Sequence, residues 1–260
     1  MGNFISYKKI TTIVIVFVVA LSAAAQVKIV AHRGFWKSEM AGMSENSLAS
    51  LHAAQYHGFW GSEFDVHMTS DGVIVVNHDN DIEGVRIDAN PYEAIKDKRL
   101  PNGEHHPLLE DYLLQGTLDG TVLVLEFKSH PAKEMEDELV EKSVAMLKEY
   151  GLYSPEKVLF ISFSLYICEK IAAVAPEFTN QYLGGDLSPA ELHEKGINGL
   201  DYNQNVLRKH PEWVKEAHDL GMSVNVWTVN DYAGMQYFAS LGVDAVTTNE
   251  PLLARLAISE

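Results

Sequence analysis

Acidic and histidine side chains recur at short spacings between Glu63 and Asp79. Glu63 and Asp65 are two residues apart in a run that alternates apolar and polar residues, and such alternation predicts a strand with one polar face. On a strand, both carboxylates project from the same side. Two carboxylates this close repel each other and resist burial unless a cation lies between them. His78 follows a turn and a second short strand, so the same hairpin brings a histidine to this carboxylate pair.

A third carboxylate, Glu126, interrupts the otherwise apolar run from Val122 to Phe127, and a carboxylate in such a strand requires a partner. With Glu63 and Asp65 it forms a set of oxygen ligands that suits Mg²⁺ or Ca²⁺ better than Zn²⁺. The alternative is a set of solvated or salt-bridged acids, which are common in an acidic chain. The pattern favours one bound divalent cation, Mg²⁺ or Ca²⁺.

Two histidines and two basic residues accompany these carboxylates. His32 and His78 form a pair of the kind that a general acid and a general base require, although a single histidine at a strand end is more often structural. Arg33 and Lys128 could bind phosphate oxygens, arginine in a bidentate manner. They could also neutralise the carboxylates, and the two roles are compatible.

Short β-rich runs alternate with helical segments throughout the chain after residue 26, and the first predicted helix covers residues 44–57. The predicted strands of the repeating unit are 27–31, 61–67, 121–127, 158–162, 179–183, 199–202, 222–227 and 245–248. Eight βα units in this length predict an α/β fold, a (β/α)8 TIM barrel with a small insertion after the second strand. In such a barrel the functional side chains lie at the carboxyl ends of the strands, which is where the candidate residues fall.

The first 25 residues have the pattern of a secretory signal peptide. Lys8 and Lys9 precede an apolar run, and three alanines before Gln26 supply a cleavage site. The run of about a dozen residues is shorter than the roughly 20 that span a bilayer, although an uncleaved anchor is the alternative. We therefore expect a secreted or periplasmic protein whose mature chain, residues 26–260, forms one domain.

The whole chain carries a formal net charge of −16 and a single cysteine, Cys168. A charge this negative argues against nucleic acid or an anionic membrane surface as a partner, and a lone cysteine cannot form an internal disulfide. A phosphate-bearing substrate would therefore depend on a cation or on a few well-placed basic residues. The sequence leaves the oligomeric state open.

The candidate residues belong to a longer, ordered set of motifs. In chain order these are His32-Arg33-Gly34, Ser44-Glu45-Asn46-Ser47, Glu63-Phe64-Asp65-Val66, Asp71-Gly72, His78-Asp79, Glu126-Phe127-Lys128, Trp227-Thr228-Val229-Asn230 and Thr248-Asn249-Glu250-Pro251. This set resembles the glycerophosphodiester phosphodiesterase family over nearly the whole mature chain. The ordered combination is specific, whereas any one motif alone would be weak.

The resemblance implies metal-dependent hydrolysis of a small-molecule glycerophosphodiester to an alcohol and sn-glycerol 3-phosphate. It implies a divalent cation on Glu63, Asp65 and Glu126, an acid–base pair of His32 and His78, and phosphate contacts from Arg33 and Lys128. Trp227 would form an apolar wall for the alcohol. Glu45 would orient His32 or Arg33, or join the outer shell of the cation; the alternative is an acid at the amino terminus of a helix with no role in the site. Either a glycerol hydroxyl or water could be the nucleophile.

The chain departs from the family pattern after His78-Asp79, where residues 80–86 replace the usual Leu-x-Arg-Thr-Thr type of run. The segment 84–106 should border the alcohol, so an alternative substrate is a lysophospholipid or a phosphoinositide-like diester. A rival from another class is a non-catalytic secreted barrel that binds a phosphorylated ligand. The polar character of the segment favours small soluble diesters, and the histidine pair favours an enzyme. His67, His105 and His106 match no motif, and we interpret them as bystanders with no part in the reaction.

Overall fold

The computed structural model describes residues 26–258, so the expected leader, residues 1–25, lies outside the described residues. The strands are β1 (Lys28–Ala31), β2 (Gly61–Met68), β3 (Ile74–Val76), β4 (Asp81–Ile82), β5 (Val85–Arg86), β6 (Val122–Phe127), β7 (Val158–Ser162), β8 (Asn180–Tyr182), β9 (Gly199–Asn203), β10 (Ser223–Trp227) and β11 (Ala245–Thr248). Strands β1, β2 and β6 to β11 pair in parallel with their neighbours, and β11 pairs with β1. These eight strands form a closed barrel, which confirms the predicted TIM-barrel fold.

Helices follow the barrel strands and cover their outer face. They are α1 (Leu48–Tyr56), α2 (Leu109–Gly116), α3 (Lys133–Glu149), α4 (Leu165–Val174), α5 (Pro189–Glu194), α6 (Gln204–Lys209), α7 (Glu212–Asp219), α8 (Tyr232–Leu241) and α9 (Pro251–Ile258). Among residues 26–258, no helix combines the length and the hydropathy that a membrane crossing requires.

The helix expected over residues 44–57 begins later than predicted, at Leu48. The hydroxyl of Ser47 accepts a hydrogen bond from the backbone N–H of Ser50 at 2.9 Å and caps the helix. Asn46 has a positive φ of 54°, a conformation that interrupts a right-handed helix. Residues 44–47 therefore form a turn. From this turn the side chain of Glu45 reaches Arg33, and the side chain of Asn46 reaches Asp65 on β2.

The segment 69–108 separates β2 from α2 and contains the short hairpin that the sequence predicts. β3 pairs antiparallel with β2, and β4 and β5 form a second small hairpin. A short 3-10 helix, Tyr92–Ala94, follows them. The segment has its own small apolar cluster, formed around Val75. Because β3 runs antiparallel to β2, the chain turns back after β2 and brings residue 78 close to the carboxyl ends of the barrel strands.

The barrel interior changes from apolar to polar along its axis. On β6, Val122, Val124 and Glu126 alternate with residues that face the helices. Val122 and Val124 join an aliphatic cluster with Val30 and Leu159, which fills the amino-terminal part of the interior. Glu126 is the last residue of the inward series, so its carboxylate lies where the barrel opens at the carboxyl ends of the strands.

Candidate active site

Three carboxylates meet at the carboxyl ends of β2 and β6. Glu63 and Asp65 lie on β2, and Asp65 stands directly opposite Glu126 in the parallel register of the two strands. One carboxylate oxygen from each residue lies within 4.8 Å of the others, and all three residues are buried. The two-residue spacing of the sequence and the register of the barrel therefore produce the expected cluster.

The cluster is electrostatically crowded. Burial raises the pKa of Glu63 well above its usual range, and the nearby charges of Asp65 and Glu126 raise it further. Burial and the charge of Asp65 also raise the pKa of Glu126 to about 8. Although burial works against the ionisation of Asp65 as well, the ammonium group of Lys128 outweighs it and lowers the pKa of Asp65 to about 2. Further positive charge would allow all three groups to ionise.

The carboxylates fit a divalent cation. Glu63 Oε2 accepts a hydrogen bond from the backbone N–H of Arg33 at 2.7 Å, but its buried Oε1 has no hydrogen-bond partner among the described residues. An unpaired, buried carboxylate oxygen costs free energy, and a cation bound between the three side chains would offset this cost. A set made only of oxygen donors suits a hard ion such as Mg²⁺ or Ca²⁺.

Lys128 lies within this cluster. Its Nζ is 2.7 Å from Asp65 Oδ1 and 2.6 Å from Glu126 Oε1, and the side chain is 12% exposed. The two carboxylates raise the pKa of Lys128 in spite of its burial, so the ammonium group is charged. Of the two roles expected for Lys128, the neutralisation of the carboxylates is the one present in the structure.

His32 is held in one tautomer beside Glu63. Its Nδ1 is 2.8 Å from Asn249 Oδ1, and this amide oxygen also accepts a hydrogen bond from Trp36 Nε1. Nδ1 therefore carries the proton in the neutral ring, and Nε2, 3.9 Å from Glu63 Oε2, has a free lone pair. Burial lowers the pKa of His32 to about 4, with a further contribution from the charge of Arg33. The ring is neutral at pH 7.

Glu45 is hydrogen-bonded to Arg33. Arg33 Nη1 donates to both carboxylate oxygens of Glu45 at 2.9 Å, and Arg33 Nε lies 3.9 Å from Asp65 Oδ2. Of the three partners expected for Glu45, the structure therefore brings it to Arg33. The guanidinium group lies between a half-buried acid and a buried acid at the edge of the cluster.

Two asparagines were not singled out by the sequence analysis, although both lie in its motifs. Asn46 Nδ2 donates to Asp65 Oδ2 at 2.7 Å, and Asn46 Oδ1 accepts from the backbone N–H of Asp65 at 3.2 Å. Asn249 determines the tautomer of His32, as described above. A motif shows that such a residue is present, but only the folded chain shows which side chain it contacts.

His78 and Trp227 reach the same end of the barrel from other elements. His78 follows β3, and its Nδ1 lies 2.8 Å from Asp79 Oδ1. Trp227 ends β10, donates from Nε1 to the backbone oxygen of Asp201 at 2.9 Å, and packs edge-on against Phe163 with 5.5 Å between ring centroids. Trp227 and Phe163 therefore form an aromatic pair at the carboxyl ends of β10 and β7.

His67 lies beside the site, a place that the sequence analysis did not assign to it. It is 2% exposed, and its Nε2 is 3.3 Å from the backbone oxygen of His78. The signal was present in the alternation of β2, since His67 follows Glu63 and Asp65 on the same face. By contrast, His105 is exposed and its Nδ1 lies 2.7 Å from the backbone oxygen of Lys96.

A closed α/β barrel with buried carboxylates, a neutral histidine and basic side chains at the carboxyl ends of its strands has the site of an enzyme that acts on an anionic substrate. Residues 32–253 match the family described as the glycerophosphoryl diester phosphodiesterase family. The chain therefore belongs to this family, and it is a phosphoric diester hydrolase.

Solved structures and curated relatives agree with this assignment. A glycerophosphodiester phosphodiesterase from Parabacteroides distasonis is 42% identical, with a TM-score of 0.87 over 90% of this chain and 98% of that one. A phosphodiesterase from Oleispira antarctica, solved in complex with the product sn-glycerol-3-phosphate, is 26% identical, with a TM-score of 0.76 over 90% and 98% of the two chains. The glycerophosphodiester phosphodiesterase of Caldanaerobacter subterraneus subsp. tengcongensis is 28% identical over 86% of this chain and 94% of its own.

Proposed function

We propose that the protein hydrolyses small soluble glycerophosphodiesters, releasing an alcohol and sn-glycerol 3-phosphate. The observation that carries this proposal is the buried cluster of Glu63, Asp65 and Glu126 beside the neutral ring of His32. The glycerol 3-phosphate product bound to the Oleispira antarctica relative supports the same substrate class. The mostly polar segment 84–106 favours a soluble alcohol over a long acyl chain.

One divalent cation, Mg²⁺ or Ca²⁺, is proposed to bind Glu63, Asp65 and Glu126. The ion would neutralise phosphate charge and make a neighbouring hydroxyl or water easier to deprotonate. The protein holds the ligands ready for it, since Asn46 and Lys128 fix Asp65 and the backbone of Arg33 fixes Glu63. Such an ion would give the buried Oε1 of Glu63 the partner that it lacks among the described residues.

His32 and His78 are proposed to be the acid–base pair. Because Nδ1 of His32 donates to Asn249, the free lone pair of Nε2 can accept the proton of the attacking water or glycerol hydroxyl. His78 would then protonate the oxygen of the leaving alcohol. Its Nδ1 is engaged by Asp79, which leaves Nε2 to face the substrate. If the glycerol hydroxyl attacks, the product is a cyclic phosphate, which a water molecule must then open to give sn-glycerol 3-phosphate.

Arg33 and Lys128 are proposed to bind phosphate oxygens, and Trp227 to contact the alcohol. The bidentate contact with Glu45 holds the guanidinium group of Arg33 at the mouth of the cluster. Lys128 already carries its charge there, so the approach of an anion needs no change of protonation. Trp227 and Phe163 offer an apolar surface across the mouth.

We also propose that residues 1–25 act as a cleaved leader and that the enzyme works outside the cytoplasm. The pattern of two lysines, an apolar run and small residues supports this. The intact mass of the protein recovered from its native compartment tests the proposal, because cleavage should leave a chain that begins near Gln26. A full-length mass would contradict it.

The decisive experiment measures sn-glycerol 3-phosphate release from glycerophosphocholine and glycerophosphoethanolamine. We expect release that stops with EDTA and returns with Mg²⁺ or Ca²⁺. The same ion should raise the melting temperature of the wild type and should not raise that of Glu63→Gln, because a ligand that binds only the folded state stabilises it. Turnover that persists after the removal of all metal would contradict the metal role. A bound metal without release from either diester would contradict the substrate class.

A further inference from the structure

Two buried histidines lie beside the carboxylate cluster. His67, on β2, is 2% exposed, and His130, just after β6, is 9% exposed. Their ring centroids are 5.8 Å apart in an edge-on arrangement. Neither residue belongs to the proposed acid–base pair, and buried polar rings of this kind are retained only with defined hydrogen-bond partners.

The ring of His67 is bonded to the backbone of His78. Nε2 lies 3.3 Å from the His78 carbonyl oxygen, and a carbonyl oxygen can only accept, so Nε2 carries the proton and donates it. One residue earlier in the loop, the backbone N–H of Asn77 donates to the backbone oxygen of Asp65 at 3.0 Å. Asp65 and His67, which are alternate residues of β2, therefore bond to Asn77 and His78, which are successive residues of the loop.

His130 is fixed at both of its ring nitrogens. Nδ1 is 2.9 Å from the backbone oxygen of Lys128, and Nε2 accepts a hydrogen bond from the backbone N–H of Met68 at 3.0 Å. These partners determine its tautomer and join β2 to the end of β6. The ring is therefore a fixed surface against which His67 packs.

We propose that His67 is a positioning residue for His78, acting through its Nε2–H hydrogen bond to the His78 carbonyl oxygen, with His130 holding the His67 ring in place. The inference rests on the proposed role of His78 in the acid–base pair. Asp79, which contacts the His78 ring, has a side chain that is 77% exposed, and an exposed carboxylate fixes a partner only weakly. The hydrogen bond from the buried His67 ring to the His78 carbonyl oxygen is therefore the contact that we expect to fix the backbone from which the His78 side chain extends.

The expected effect is on the chemical step. A displacement of about 1 Å at a reacting group can cost on the order of 10²-fold in rate, so loss of the bond should lower kcat. Substrate binding by the cation and the basic residues should change little. A residue that serves only the stability of the barrel would instead lower the melting temperature and leave kcat of the folded protein unchanged.

The test compares His67→Leu, which removes the donor, with His67→Gln, whose amide N–H can reach the position of Nε2. His105→Leu is the matched control, because His105 also contacts a backbone carbonyl, that of Lys96 at 2.7 Å, but lies on an exposed part of the segment 69–108. Steady-state kinetics with glycerophosphocholine, metal-dependent melting curves and the double variant His67→Leu/His78→Ala complete the design.

We expect kcat of His67→Leu to fall about 10- to 100-fold with KM within about threefold, and His67→Gln to recover most of the loss. His105→Leu should match the wild type. In the His78→Ala background, His67→Leu should cause little further loss, because both changes remove the same function. The metal-dependent rise in melting temperature should persist in every variant.

The inference is overturned if His78→Ala is inactive while His67→Leu keeps wild-type kcat, or if the two losses add in the double variant. A fully active His78→Ala would overturn the proposed acid–base pair and this inference with it. Should His67→Leu fail to fold, the comparison becomes His67→Gln against His67→Asn, whose shorter side chain cannot place its N–H at Nε2. Equal kcat in those two variants would then contradict the inference.

Discussion

At the scale of single residues, the site is held in place before any substrate binds. Asn249 determines the tautomer of His32, and Glu45 holds Arg33 through two hydrogen bonds. Lys128 contacts two carboxylates at once. Side chains restrained in this way lose little freedom when the substrate arrives, and such preorganisation lowers the barrier to reaction.

Replacement of His32 by alanine should lower kcat by about 10²- to 10⁴-fold, the usual contribution of general acid–base catalysis. The reason is the loss of the Nε2 lone pair beside Glu63, while the three carboxylates remain. Steady-state kinetics provide the measurement, and the metal-dependent shift in melting temperature shows whether the cluster is intact. An exposed histidine changed in parallel, His193→Ala, should leave kcat unchanged. A His32→Ala enzyme with kcat within a few-fold of the wild type would contradict the assignment.

At the scale of elements, the segment 69–108 supports the turn that directs Glu45 and Asn46 into the site. Its residue Glu104 accepts hydrogen bonds from the backbone N–H groups of Leu48 at 3.0 Å and Ala49 at 3.3 Å, which open α1. A carboxylate at this position satisfies N–H groups that have no partner within the helix and complements the helix dipole. Through Glu104, the segment 69–108 is therefore hydrogen-bonded to the first turn of α1.

Replacement of Glu104 by alanine should lower the free energy of unfolding by about 0.5–2 kcal/mol, the usual cost of a lost helix cap. Urea denaturation followed by circular dichroism provides the measurement. Glu39→Ala is the control, because Glu39 is an exposed acid in the loop before the same turn. Equal stability of the two variants would show that the contact with α1 contributes nothing.

At the scale of the whole molecule, a barrel strand outside the carboxylate cluster carries a buried acid. Asp201, on β9, is 1% exposed. Its Oδ2 accepts a hydrogen bond from Asn225 Nδ2 at 3.0 Å, and its Oδ1 has no partner among the described residues. Burial raises the pKa of Asp201 well above its usual range, and the charge of Glu126 raises it further. The carboxyl group is therefore protonated in the folded state at pH values where it is ionised in the unfolded chain.

Because folding must then take up a proton, this group lowers the stability of the wild type as pH rises above about 4. Asp201→Asn removes the titration. The free energy of unfolding of Asp201→Asn minus that of the wild type should therefore grow with pH, by at most about 1.4 kcal/mol per unit, until the folded-state pKa is reached. Urea denaturation at pH 4, 5.5 and 7 measures this difference. A pH-independent difference for Asp201→Asn would contradict the prediction.

Sequence patterns specified the barrel and the composition of its site. Eight β-rich runs between helical segments predicted the closed parallel sheet, and the spacing of Glu63 and Asp65 placed two carboxylates on one face of β2. These features are local, since side-chain direction on a strand follows from a period of two. The start of α1 at Leu48 and the helix α6 were not predicted, because turn geometry and short helices leave a weak signal.

Only the tertiary structure decided which side chains act on each other. Asn249 contacts His32 across 217 positions of sequence, and Lys128 reaches Asp65 because β2 and β6 are neighbours in the closed barrel. His67 shares a face with the carboxylates by periodicity, yet its bond to the His78 carbonyl depends on how the loop after β3 folds back over β2. Such contacts depend on strand register and side-chain rotamers, which the local pattern does not specify. The sequence therefore determined the residues of the site, and the folding of the barrel determined their partners.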